Sequence, residues 1–174
     1  MDPVKAYAGV SMRYTTLIVE DEPALRELFG CVLEGTGHSI LLAENGEQAL
    51  ALAEQVEKGT PLLLLTDVLL PGINGHDLAK EFLRRYPLTR VGFLTGWFDQ
   101  DLIRLGICPE CSCILRKPFN ISDLSRFVER LLLQPVCEGL FDGPATQDTA
   151  GKGELPIHHQ HHSRTTRPAR KDPP

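Results

Sequence analysis

Five polar residues stand where apolar runs of this sequence end: Glu20 and Asp21 after TTLIV, Asp67 after LLLLT, Thr95 after VGFL, and Lys117 after ILR. Carboxylates brought close together repel one another, and a hard divalent cation such as Mg²⁺ relieves that repulsion while leaving positions open for phosphate oxygens. Asp67 is then available as a nucleophile, and attack by a carboxylate on phosphorus forms an aspartyl-phosphate. Phosphoryl transfer depends chiefly on positioning and on cations that neutralise the equatorial oxygens. Lys117 can supply one such cation, and the Thr95 hydroxyl can donate a hydrogen bond to a phosphoryl group. Taken singly, an Asp after a strand is a cap or loop residue, and a lone Thr or Lys there is ordinary. Five of them in this order point to one reaction.

For these residues to meet, the runs before them must lie side by side. Between Thr15 and Leu133 short β-branched or leucine-rich runs alternate with helix-period runs, the pattern of a parallel sheet covered on both faces. The predicted strands are Thr15–Val19, Ser39–Ala43, Leu62–Thr66, Val91–Thr95 and Ile114–Arg116. Pro23 opens the first helix, with Leu25, Leu28, Phe29, Val32 and Leu33 predicted on its inner face. Asn45-Gly46 reads as a turn before a helix over Glu47–Gln55. A third helix buries Leu78, Ala79 and Phe82, with His76 expected to face solvent at its start. A short fourth helix falls within Asp99–Leu105, preceded by Trp97 as a surface aromatic, and a fifth carries Leu124, Phe127, Val128, Leu131 and Leu132 inward. In an open parallel sheet ligands bind beyond the carboxyl ends of the strands, where the five polar residues would gather.

Composition narrows the function classes. The 174 residues carry 18 Lys and Arg against 23 Asp and Glu. Residues 14–134 alone hold 17 acids against 11 bases, and so acidic a domain repels nucleic acid. Four basic residues near the end, Arg164, Arg167, Arg170 and Lys171, lack aromatic partners and read as a solvated tail. No apolar run approaches the roughly 18 residues of a membrane span, and no leader pattern opens the chain. An odd count of five cysteines argues for reduced thiols and a cytoplasmic setting. Cys108, Cys111 and Cys113 lack an evident fourth ligand for a closed zinc site and read as incidental thiols, as the His158, His159, His161 and His162 tract reads as loose. Residues 1–13 are expected to be an N-terminal extension, 14–134 the folded domain, and 135–174, rich in Pro, Gly, Thr, Gln and His, a disordered tail.

LIVEDEP, LLLTDVLLPGINGHDL, FLTG and ILRKPF resemble, over about residues 14–134, the CheY-like receiver domain of response regulators in two-component phosphorelay systems. The likeness extends to receivers that stand alone or belong to hybrid histidine kinases. It implies a flavodoxin-like α/β fold, a doubly wound parallel sheet of five strands in the order 2-1-3-4-5 with five helices. It further implies that Asp67 is the phosphoacceptor, that Glu20 and Asp21 hold Mg²⁺ with Asp67 and the backbone carbonyl of Leu69, that Thr95 is the switch hydroxyl, and that Lys117 binds the phosphoryl group ahead of a cis Lys-Pro peptide. The expected partners are a sensor histidine kinase or histidine phosphotransfer protein, and a downstream protein reached through the helix 4–strand 5–helix 5 face, with no output domain following, no direct DNA binding and no membrane. The module would be no enzyme beyond slow autodephosphorylation. Many family members carry Tyr or Phe three residues before the lysine; here that position is Ile114, which leaves the switch mainly to the Thr95 loop. A phosphatase or dehalogenase with an aspartate nucleophile would need a second Asp two residues on, and Leu69 stands there.

Overall fold

A computed structural model describes residues 14–35, 37–109 and 113–133. The expected N-terminal extension and tail, the histidine tract and Cys111 lie outside the described residues.

Five strands, β1 (Thr15–Val19), β2 (Ser39–Ala43), β3 (Leu62–Asp67), β4 (Arg90–Thr95) and β5 (Ile114–Arg116), form one parallel sheet in the order β2-β1-β3-β4-β5. Five helices alternate with them: α1 (Pro23–Glu34), α2 (Gly46–Ala53), α3 (Gly75–Arg85), α4 (Asp99–Arg104) and α5 (Ile121–Leu133). Helix α1 touches α5, and α2 touches α3. Parallel strands need crossovers, these are right-handed, and an order that reverses direction at β1 places helices on both faces. Leu63, Leu64 and Leu65 of β3 are wholly buried because neither face of a central parallel strand meets water. Each such leucine contributes about 1.5–3 kcal/mol of apolar burial.

Two glycines mark where elements come closest. A Cβ on Gly92 of β4 would lie 2.6 Å from Leu131 Cδ1 and 2.9 Å from Phe127 Cε1, so α5 seats directly on the strand there. A Cβ on Gly75 would lie 1.9 Å from the backbone oxygen of Asp67, so the first turn of α3 rests against the end of β3.

The structure moves several sequence expectations. Asn45 is the cap of α2 rather than part of a turn: its side chain accepts from the Gln48 N–H at 2.8 Å, and Gly46 is already helical. Leu28 is 44% exposed and belongs to the outer side of α1, while Phe29 and Leu33 face the core. His76 is buried, not solvent-facing, because it lies three residues before Ala79 and shares its inward face. Trp97 is half-buried and packs against the core; the exposed aromatic of that loop is Phe98.

Candidate functional site

The register of the sheet brings the strand ends together. Val19 of β1 pairs with Thr66 of β3, so Glu20 emerges beside Asp67, and Asp67 in turn pairs with Leu94 of β4. Thr95 pairs with Arg116 of β5, so Lys117 is the next residue out, its N–H donating to the Thr95 carbonyl at 2.8 Å.

Lys117 joins two of the acids. Its Nζ donates to Asp67 Oδ2 at 2.6 Å and to Glu20 Oε2 at 2.9 Å. The Glu20 side chain is only 3% exposed. Burial pushes the Glu20 carboxyl above its ordinary pKa, and the Asp67 charge adds to this, although Lys117 pulls the other way. For Lys117 burial alone would lower the pKa, but the hydrogen bonds and charges of Asp67 and Glu20 together outweigh it and hold the ammonium above its usual value. The lysine is therefore a fixed cation between two carboxylates.

The second Asp67 oxygen, Oδ1, accepts from the Leu69 N–H at 2.9 Å, and the Thr66 hydroxyl donates to the Asp67 backbone carbonyl at 2.9 Å. Asn74 closes the loop, accepting from the Asp77 N–H at 2.8 Å while its amide donates to Asp77 Oδ2 at 2.9 Å. The Lys117–Pro118 peptide is cis, as the resemblance implied.

Thr95 and Asp21 stand apart from this trio. Thr95 is fully buried, and its Oγ1 accepts from the Trp97 N–H at 3.1 Å. Asp21 is exposed, and among the described residues no group of three or more His, Cys, Asp or Glu is close enough to hold a metal ion. The strand ends thus bring Glu20, Asp67 and Lys117 into contact, and Asp21, next to Glu20 in the chain, is exposed. Cys113 is buried and Cys108 half-buried.

Two arginines escaped sequence reasoning. Arg26 Nη1 donates to the Glu20 carbonyl at 2.7 Å and the Asp21 carbonyl at 3.3 Å, so α1 holds the backbone of the acidic pair. Arg116 reaches the Trp97 carbonyl and the Asp99 carboxylate. Only Arg26 carried a signal, its place one turn into a helix that follows the acids directly.

A parallel sheet of this strand order, with a lysine bridging two carboxylates at its carboxyl edge, defines a class of signalling module. The sequence profile of the response regulator receiver domain matches residues 16–129, and the chain belongs to that family, the receivers of two-component signalling. It is 29% identical over 117 residues to the response regulator receiver protein CpdR of Brucella abortus, covering 67% of this chain and 95% of that one. It is 32% identical over 107 residues to a cyclic di-GMP phosphodiesterase of Thermotoga maritima, covering 62% of this chain but only 28% of that protein's length. Among solved structures, the receiver domain of the hybrid histidine kinase CckA is similar at 32% identity and a TM-score of 0.55, over 68% of this chain and 98% of that one. Receivers of this family accept phosphoryl groups and generally bind Mg²⁺. No helix among the described residues is long and apolar enough to cross a membrane.

Proposed function

We propose that Asp67 is the residue of this chain that accepts a phosphoryl group, from a phosphohistidine on a sensor kinase or a histidine phosphotransfer protein, and that the chain signals in the cytoplasm through protein contacts and not through catalysis of its own. A carboxylate oxygen of Asp67 bonds to phosphorus as the P–N bond of the donor breaks, and the departing imidazole takes the electron pair and a proton. The observation that carries this reading is the Lys117 ammonium 2.6 Å from Asp67 Oδ2, at the carboxyl edge of the sheet. Lys117 orients the nucleophile, and its charge offsets that of an incoming phosphoryl group. Leu69 N–H fixes the other oxygen, so the carboxylate is oriented before its partner arrives.

The oxygen donors at these strand ends are of the chemical kind that Mg²⁺ takes. Two carboxylates, Glu20 and Asp67, already share one cation, Asp21 adds an oxygen donor at the same strand end, and the Leu69 carbonyl lies two residues past Asp67. Mg²⁺ asks for few protein carboxylates and keeps the rest of its shell for water and phosphate oxygens. When bound it would neutralise charge on the transferred group. Thr95 is the hydroxyl that answers a phosphoryl group on Asp67, and the readout reaches a downstream protein through α4, β5 and α5.

Incubation of the purified chain with acetyl phosphate and Mg²⁺ should add one phosphoryl group by intact mass. A chelator, or Asp67→Asn, should remove it. Full labelling of Asp67→Asn would overturn the assignment.

A further inference from the structure

Trp97 follows Thr95 by two residues, and its backbone is held on both sides, at the N–H and at the carbonyl. The N–H donates to Thr95 Oγ1 at 3.1 Å, and the carbonyl accepts from Arg116 Nη1. The same guanidinium donates through Nη2 to Asp99 Oδ1 in the first turn of α4. Arg116 is also the residue that pairs with Thr95 across the sheet, so one side chain links the end of β5 to the whole loop between β4 and α4. A planar guanidinium suits this place, since its fixed donors grip two acceptors at once, whereas a lysine ammonium is a point charge on a flexible stem.

We propose that Arg116 is a positioning residue for Thr95: it locks the loop in the arrangement where Trp97 engages the hydroxyl, and it must release the loop before that hydroxyl can serve a phosphoryl group on Asp67. The inference rests on the roles of Asp67 and Thr95 proposed above. A hydroxyl that moves toward Asp67 either carries the Trp97 N–H with it or leaves that N–H unpaired. Carrying it draws the Trp97 carbonyl off Arg116, and leaving it forfeits a hydrogen bond. By either route the phosphorylated arrangement competes with Arg116, and the clamp biases a two-state loop toward its unphosphorylated form. Ile114, on the same strand, offers apolar packing and no group that could hold the loop in the same way.

Trp97 is the only tryptophan of the chain, so its emission reports on this loop. Beryllofluoride with Mg²⁺, standing in for the phosphoryl group, is titrated into the full chain while that emission is followed. Arg116→Ala and Asp99→Ala should each lower the half-saturating beryllofluoride concentration by about threefold, as expected when a partly exposed ion pair that favours one state is removed. The double variant should shift little further, because both changes open the same clamp. Arg116→Lys should restore part of the wild-type value. Both side chains are partly exposed, so urea midpoints without beryllofluoride should stay near wild type, which separates loop release from loss of fold. A half-saturation that is unchanged or raised in Arg116→Ala overturns the proposal. An undiminished response in Asp67→Asn, or none in the wild type, overturns instead the reading of Asp67 and Thr95 beneath it.

Discussion

At the scale of single residues, Lys117 decides the character of the site, because among the described residues it is the cation that pairs with both Glu20 and Asp67, of which Glu20 is almost wholly enclosed. Removing one partner of a buried ion pair leaves an uncompensated charge, a cost of several kcal/mol that protonation of the stranded acid can lessen. Lys117→Ala should therefore lower the unfolding free energy by about 1–3 kcal/mol at neutral pH. Its pH dependence has a definite sign. Burial raises the Glu20 pKa in the folded chain, so the folded state binds that proton more tightly than the unfolded one; the resulting stability is present in acid and is lost as pH rises through the folded value. Without Lys117 that pKa rises further, so the deficit of the variant should be smaller near pH 5 than near pH 7.5 in urea unfolding. A deficit that grew in acid would contradict the account. Glu20, Asp67 and Lys117 were all legible in the sequence, because each ends an apolar run and parallel register forces run ends together. The exposure of Asp21 next to the enclosed Glu20 was not, since burial at a strand end leaves no periodic trace.

Among elements, the contact that matters most to the site is α3 on the end of β3. Gly75 lets the helix rest on the Asp67 carbonyl, where a Cβ would lie at 1.9 Å from a backbone atom that has little room to give. Gly75→Ala should then destabilise the fold by about 1–3 kcal/mol or more and lower phosphoryl incorporation with it, because Asp67 must shift. Gly37→Ala makes a useful comparison: it too is destabilising, through its positive φ of 76°, but it has nothing within 4 Å and should leave incorporation intact. Equal loss of incorporation in both variants would mean that α3 does not position the acceptor. All five strands and all five helices were legible in the alternation of short apolar and helix-period runs, most strongly β3 with its four successive core leucines. What the sequence did not disclose were the orientations at helix ends and edges. The inward turn of His76 and the outward turn of Leu28 depend on how each helix is rotated against its neighbours, and the Asn45 cap competes with a turn built from the same two residues.

Over the whole molecule, the acidic balance of residues 14–134 and the gathering of carboxylates at one edge make the fold a reservoir of repulsion that a cation relieves. A ligand that binds only the folded chain stabilises it by mass action, about 2.7 kcal/mol at a hundred times its dissociation constant. Millimolar Mg²⁺ should therefore raise the thermal midpoint of the wild type. Asp21→Ala should raise the metal-free midpoint slightly and blunt the response to Mg²⁺, and an unaltered Mg²⁺ response would remove Asp21 from the ligands. The central claim remains that one carboxylate among these takes the phosphoryl group. It is tested most directly by labelling the wild-type chain with acetyl phosphate, reducing it with borohydride, and locating by peptide mass spectrometry the aspartate converted to homoserine. The account predicts homoserine at position 67 alone; conversion at position 21, or at any other aspartate with position 67 untouched, would contradict it.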